Sequence, residues 1–302
     1  DRQAETAQAL GVPDEAVPLG AEQLAERIRS PRFRKGVFVR DCATVQPARL
    51  VRGLRRVAIG RVRLHERSRA TRIDDGRIET AHGRVRAKDV VVAVNAAAAG
   101  WKPLHRRLTV FGSYVVLTEP VPELLERIGW TGGEAVIDGR MFLHYFRTTN
   151  DGRVLMGSAG GTRVHAERGL RMLLPQLREA RITHHWGGPI DVSSDRLPFV
   201  GSHGRVHYVA GFTGNGVGPA WLAAQSVASL VLNRDDEWAR LPLVQRKVHR
   251  LPLRPLKRIG GDLVRRSILS LEEAEEEGRR PSSLARVGAA LPRLTRTRVG
   301  LR

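Results

Sequence analysis

Hydrophobic positions along this chain recur with two spacings, and the spacing changes from segment to segment. After Gln46-Pro47-Ala48-Arg49, apolar Leu50, Leu54, Val57 and Ala58 follow a helical rhythm. That spacing predicts a helix with one face toward a core and Pro47 in its first turn. Short strands are predicted at 62–65, 69–73 and 76–80, with Asp75-Gly76 as the hairpin turn between the last two. Val90-Val91-Val92-Ala93-Val94 has no polar position at all, the pattern of a strand covered on both faces. It runs into Asn95-Ala96-Ala97-Ala98, small residues that would let a ligand lie close.

From Leu108 to Trp186 the pattern alternates, with strands predicted at 108–118, 136–146, 153–157 and 182–187. Asn150-Asp151-Gly152 supplies a hairpin turn, and Ala166 to Arg178 reads as an amphipathic helix. The strand-like Val206-His207-Tyr208-Val209-Ala210 then feeds Gly211-Phe212-Thr213-Gly214-Asn215-Gly216-Val217-Gly218, and an apolar helix is predicted from Val217 to Leu232. A strand, a glycine-rich turn and a helix opening together make a site for anions and dipoles. Glycine admits close backbone approach, and the first-turn N–H groups have no partner within the helix. Residues 1–36 read as a polar connecting region with a helix near Ala21 to Arg29. Beyond Trp238 a Pro- and Arg-rich tail is expected to wrap the surface, with a helix around Gly261 to Glu277. No internal repeat is evident.

Length and composition admit two soluble domains: 302 residues, 41% hydrophobic and 27% charged. The lone cysteine, Cys42, excludes an internal disulfide framework and a clustered cysteine metal site. His184 and His185 are adjacent on a predicted strand and point to opposite faces, so no metal is expected. The net charge of +20 invites a nucleic-acid reading, and the tail from Arg240 holds 16 basic against 6 acidic residues. Yet aromatics are only 5% and do not interleave with the basic residues, so no nucleic-acid partner is expected. No membrane span or signal pattern is present, and the expected location is cytoplasmic. No Ser-His-Asp, phosphate-loop or paired-carboxylate constellation is read from the spacing.

Trp186-Gly187-Gly188, Ser194-Asp195-Arg196-Leu197-Pro198, the Gly201 turn and Gly211-Phe-Thr-Gly-Asn-Gly stand in an order that resembles the D-amino-acid-oxidase-like flavoproteins. Within them the chain looks most like the gamma-glutamylputrescine oxidase branch, over roughly Asp41 to Leu243. The resemblance implies FAD as cofactor and oxidation of an amine C–N bond. It implies an α/β (α+β) fold: a partial FAD-binding Rossmann-like domain with an inserted, mostly antiparallel substrate domain. The expected boundaries are 1–104 and 191–239 for the FAD-binding parts, 105–190 for the substrate domain and 240–302 for a basic extension. Ala93-Val94-Asn95 takes the place of the A-T-N or A-T-G beside the flavin nucleotide. Asn95, Ala96, Thr213, Gly214, Asn215, Gly216, Val217 and Gly218 are thereby the cofactor-side residues. His144 and Tyr145 are the substrate-side candidates, and Arg147, two residues along the same strand, is expected to be exposed.

Two departures from the family pattern matter. The G-x-G-x-x-G turn that binds the dinucleotide pyrophosphate has no counterpart among these residues, because Pro219 fills the last glycine position of Gly214-Asn-Gly216-Val-Gly218-Pro219. The expectation is a fragment or truncation, with a cofactor-free binding module or a split enzyme completed by a partner chain as the alternative. Where relatives that oxidise glycine or D-amino acids carry an arginine before the proline, Gly188 precedes Pro189. Without that guanidinium to grip a carboxylate, a primary or secondary amine is the better substrate expectation.

Overall fold

The computed structural model describes residues 2–252 and 254–294. The chain divides into two compact units, 1–66 with 114–138 and 144–186, and 67–113 with 139–143 and 187–302.

The first unit is organised by an antiparallel sheet. Its strands, in spatial order, are Ile182–Ser193, Leu108–Thr118, Val154–Ala159, His144–Thr148 and Val136–Ile137, the first two running on into the other unit. Helix Arg163–Leu173 covers one face, burying Ala166, Leu170 and Leu173 with Val116, Phe146, Val154 and Met156. The predicted helix runs on to Arg178, but the structure ends it before Pro175, which lacks the N–H a continuing helix needs. The predicted strand 136–146 is likewise broken into two pieces around Asp138 and Gly139. Pro189 is tolerated within Ile182–Ser193 because that strand is the outer one of its sheet.

Residues 1–36 are more ordered than their polarity suggests. Helices Arg2–Ala9 and Ala21–Arg27 flank an antiparallel pair, Ala16–Gly20 with Lys35–Val39. This segment was expected to group with the nucleotide-binding part, and it packs on the antiparallel sheet's unit instead. Ile28 joins that core, Phe33 stacks on Phe146, and the Arg29 N–H donates to the Ile128 carbonyl at 2.8 Å. The helix Pro47–Ile59 forms as predicted, with Gln46 capping the Arg49 N–H. Its expected core face is not covered: Leu50, Leu54 and Val57 stay exposed and no residue of the helix is buried.

The second unit contains two three-stranded sheets. One is the antiparallel meander Ala70–Asp74, Arg77–Thr80 and Gly83–Arg86, turning at Gly76 as predicted, whereas 62–65 forms no strand. The other joins Phe199–His203 antiparallel to Val206–Ala210, which in turn pairs parallel with Val90–Val92. Val206 to Ala210 are all buried, whereas Val91 is 48% exposed because it points to the face of its strand opposite to that of buried Val90 and Val92. Helix Val217–Val231 packs Ala223 and Val227 against Val200 and Val209. The tail builds two helices, Arg254–Glu276 and Ser283–Leu294, that pack on each other, with Ile268, Ala274 and Ala285 buried. The helix expected around Gly261 to Glu277 is present and begins earlier, and Ser283–Leu294 adds a second that was not expected.

Both sheets lay a tyrosine ring across a glycine on the neighbouring strand. Tyr145 pairs with Gly157 and Tyr208 with Gly201, and a Cβ on either glycine would run into the ring. The ring covers backbone that the glycine leaves bare.

Candidate flavin-side turn and substrate-side strand

The glycine-rich turn is held by one residue that sequence reasoning passed over. Asp191, near the end of the outer strand Ile182–Ser193, is only 1% exposed. The Gly211 N–H donates to its Oδ2. The Thr213 N–H donates to the Asp191 carbonyl at 3.0 Å. On the other side, the Asp191 N–H donates to Asn95 Oδ1 at 3.3 Å. Asn95, at the end of the Val90–Val94 segment, and the turn at Gly211–Thr213 are thus joined through a single carboxylate residue. Burial pushes the Asp191 carboxyl up from the ordinary aspartate value, against the N–H groups of Gly211, Phe212 and Thr213, which favour its charged form.

The turn needs left-handed backbone at Gly211 (φ 83°), Thr213 (φ 55°) and Gly214 (φ 86°), and Asn95 shares it with φ 47°. At Gly211 a Cβ would approach two Phe199 ring carbons at 2.9 Å, so glycine is required for space as well as conformation. Asn95 is a residue type that tolerates this region, whereas Thr213 is β-branched and strained there. The Thr213 hydroxyl donates to the Gly211 carbonyl at 3.1 Å, and the Asn215 N–H to the Phe212 carbonyl at 2.9 Å. The Ala220 N–H closes the first helical bond to Gly216 at 2.9 Å.

Gly216 caps helix Val217–Val231 without any side-chain hydrogen bond. Gly214, Asn215, Val217 and Gly218 are exposed, and nothing lies within 4 Å of a Cβ built on Gly218. Seven of the eight cofactor-side candidates are therefore brought together in one place: Asn95, through Asp191, with Thr213, Gly214, Asn215, Gly216, Val217 and Gly218. Ala96 follows Asn95 in the short 3-10 segment Asn95–Gly100 and is itself buried.

Next to this turn, Ser194-Asp195-Arg196-Leu197-Pro198 is clamped by Arg246. Its guanidinium donates to both Asp195 carboxylate oxygens and to the Leu197 and Pro198 carbonyls. Burial pushes the Asp195 carboxyl up, but the bonds and charge of Arg246, with the Leu197 N–H, outweigh it and hold the group below the usual aspartate range.

The two substrate-side candidates part company. Successive residues of His144–Thr148 face opposite sides, and the structure turns His144 and Phe146 toward helix Arg163–Leu173. His144 is 7% exposed, lies against Gly169 of that helix, and bonds Asp138 through Nδ1 and Oδ2 at 2.8 Å. It braces the packing beneath the sheet and lines no open surface. Tyr145 and Arg147 share the opposite face, Tyr145 over Gly157 and Arg147 donating to the Val45 and Thr148 carbonyls. Both are half-buried, so Arg147 is less exposed than expected.

A Ser-His-Asp array does exist, contrary to expectation, on the hairpin Phe199–Ala210. Ser202 Oγ lies 2.8 Å from His207 Nδ1, and His207 Nε2 lies 3.4 Å from Asp89 Oδ1. Ser202 and His207 are direct cross-strand partners. At 3.4 Å the carboxylate is beyond a good N–H···O bond, and the array reads as a brace joining the hairpin to the edge strand.

The chain is similar to known proteins. A family model described as FAD dependent oxidoreductase (DAO) matches residues 1–230. The chain belongs to the DAO family of FAD-dependent oxidoreductases. It is 29% identical over 234 residues to the probable oxidoreductase OrdL of Rhizobium meliloti (strain 1021), covering 72% of this chain and 54% of that protein. It is 29% identical over 245 residues to the gamma-glutamylputrescine oxidoreductase of Escherichia coli (strain K12), covering 74% and 57%. The chain of this DAO-family protein thus spans about half the length of the curated relatives it matches. Among solved structures, glycine oxidase from Geobacillus kaustophilus shares its fold with a TM-score of 0.66 at 19% identity, covering 82% of this chain and 70% of that one. L-proline dehydrogenase from P. horikoshii does so with 0.64 at 19% identity, covering 77% and 68%. Among the described residues, no helix is long and apolar enough to cross a membrane.

Proposed function

We propose that this chain carries the flavin-edge turn and a substrate-side sheet of an FAD-dependent oxidoreductase that oxidises an amine C–N bond in the cytoplasm. The observation that carries the reading is the uncapped opening of helix Val217–Val231, presented by a turn whose Gly211 and Thr213 amides are already bound to Asp191. The residues fit the cofactor: exposed glycines at 214 and 218, a half-buried one at 216, and open space over Gly218. Bound FAD would supply the two-electron acceptor that no side chain provides.

What the chain contributes is orientation and electrostatics. The first-turn N–H groups of Val217 and Gly218 and the positive end of the helix favour negative charge placed against them. Asn95 and Asp191 keep the turn from relaxing, so that field is set before a ligand arrives. On the sheet, the Tyr145 ring offers an aromatic face fixed over Gly157, suited to an aliphatic amine or its cation. Gly188, before Pro189, offers no guanidinium for a substrate carboxylate, which supports an amine such as a polyamine derivative over an α-amino acid.

One further observation favours completion by a dinucleotide-binding βαβ unit. Among the described residues the parallel strand Val90–Val92 pairs on one side only, with Val91 exposed, although parallel strands are ordinarily covered on every side. A partner chain carrying the G-x-G-x-x-G turn would fit that edge. The test is to purify the chain alone and as its complete gene product, record the flavin spectrum, and assay amine-dependent reduction of an electron acceptor. Flavin absorbance with amine-dependent turnover supports the reading. A complete product that stays colourless and rejects added FAD refutes it, and copurification of a flavin-bearing partner selects the split form.

A further inference from the structure

We propose that Asp191 is the positioning residue of the flavin-side turn: its buried carboxylate holds the Gly211 amide and its main-chain carbonyl the Thr213 amide, leaving those of the helix opening for the cofactor. The inference rests on the flavin reading above and adds to it a residue, a division of labour among amides, and a means of separating the two.

The geometry is specific. The Gly211 N–H donates to the carboxylate, and the Thr213 N–H donates to the main-chain carbonyl of Asp191 at 3.0 Å. Consecutive N–H groups in a turn with left-handed residues form a concave anion nest. Here the anion is supplied from within the same unit. Asp191 also reaches Asn95 through its own N–H, so the two segments expected at the cofactor share one anchor. Nothing in the strand pairing requires a carboxylate at this position; an apolar residue would fill the space with less desolvation. Its retention inside the unit, 1% exposed, is explained by what it holds.

A residue that merely supports the fold and one that positions a turn differ in a measurable way. The burial that raises the Asp191 carboxyl also means that the charge is disfavoured here. Replacing Asp191 with Asn relieves that burden, keeps the shape and leaves the main-chain bond to Thr213, but it removes the charged acceptor of the Gly211 N–H. The Asp191→Asn protein should therefore unfold at or above the wild-type midpoint, while amide hydrogen exchange at 211–213 speeds up about tenfold or more and that in strand His144–Thr148 is unchanged. In the complete gene product its affinity for FAD should fall about tenfold, the effect of one charge-assisted hydrogen bond. Asn95→Gly, which suits the positive φ and removes only the acceptor for the Asp191 N–H, should move exchange in the same direction by a smaller factor.

Unchanged exchange at 211–213 in Asp191→Asn would overturn the proposal, as would faster exchange with unaltered FAD affinity. Parallel loss of folding stability and affinity would also overturn it, assigning Asp191 to the fold alone. If Asp191→Asn fails to fold, the Asn95→Gly exchange decides. Should the wild-type product bind no FAD, the functional reading fails, whereas the exchange measurement still reports whether Asp191 holds the turn.

Discussion

Two glycines seven residues apart should respond to the same substitution in opposite ways. Gly211→Ala forces an L-residue to φ 83°, which costs about 1–2 kcal/mol. Its Cβ would sit 2.9 Å from two carbons of the Phe199 ring, itself 1% exposed and unable to swing into solvent. Overpacking of that kind costs about 1–3 kcal/mol, so the sum is about 2–5 kcal/mol. The unfolding midpoint should fall by roughly 5–15 °C. Gly218→Ala meets nothing within 4 Å and lies in the first turn of a helix. Loss of unfolded-state freedom should stabilise it by about 0.4–1 kcal/mol. The same methyl, however, stands where the backbone would touch FAD, and a steric cost of about 1–3 kcal/mol there means roughly 5- to 150-fold weaker binding. The assays are circular-dichroism melts of both variants and FAD titration of the complete gene product followed by flavin fluorescence. A Gly218→Ala protein that is stable and binds FAD as wild type does would remove the helix opening from the cofactor site. A Gly211→Ala protein that melts with wild type would refute the packing on Phe199.

Arg246→Ala removes four side-chain hydrogen bonds and leaves Asp195 partly buried without its cation, so urea unfolding at pH 7 should show a loss of about 2–3 kcal/mol. Because the folded-state pKa of Asp195 is lowered, that contribution is present above the ordinary value of 3.8 and lost as pH falls through the folded one; the wild-type advantage should shrink on titration below pH 4. Asp191 has the opposite sign: its raised folded pKa means that protonation favours the folded state, and this relative gain disappears as pH rises through the folded value. Gly169→Ala drives a methyl into the buried His144 ring and its bond to Asp138, and should destabilise by about 1–3 kcal/mol in the same unfolding assay. Tyr145→Phe keeps the ring on Gly157, and a changed KM for amine without a change in melting would assign the phenol to substrate.

Much of the framework could be read from local pattern, because its signals are local. The Asp75-Gly76 turn, the apolar run from Val90 and the Val206–Ala210 strand feeding a glycine turn and helix all appear where periodicity and turn chemistry put them. His144 shows where that reading stops. In Phe142-Leu-His144-Tyr145-Phe146-Arg147 both faces carry an aromatic and a polar residue, so alternation alone cannot choose between them. The choice is made by helix Arg163–Leu173, whose Gly169 leaves room for the imidazole. Residues 1–36 fail for a related reason: their few apolar side chains, such as Ile28 and Phe33, find a core only through contacts more than a hundred residues away.

Asp191 was illegible for a deeper reason. In Pro189-Ile190-Asp191-Val192-Ser193-Ser194-Asp195 it resembles any polar strand residue, and Asp195 beside a Leu-Pro turn looks the more notable. Its role depends on Gly211, twenty positions on, taking φ 83° so that the Gly211 and Thr213 amides both meet Asp191, one at its carboxylate and one at its carbonyl. A positive φ can be suspected from a glycine, but the direction in which its amides then point cannot. Gly211 to Gly218 therefore reads as a single glycine-rich unit in sequence and behaves as two in space. Its first part is bound to Asp191, Gly211 through the carboxylate and Thr213 through the main-chain carbonyl, and the helix opening that follows is uncapped. Since a carboxylate and a ligand anion compete for the same kind of donor, only this partition lets one turn be both rigid and able to bind. An engineered acidic residue at 215 should therefore act as an intramolecular competitor: Asn215→Asp would cap the free amides, raise the melting midpoint slightly and weaken FAD binding, and a variant that leaves both unchanged would show that those amides do not face the ligand.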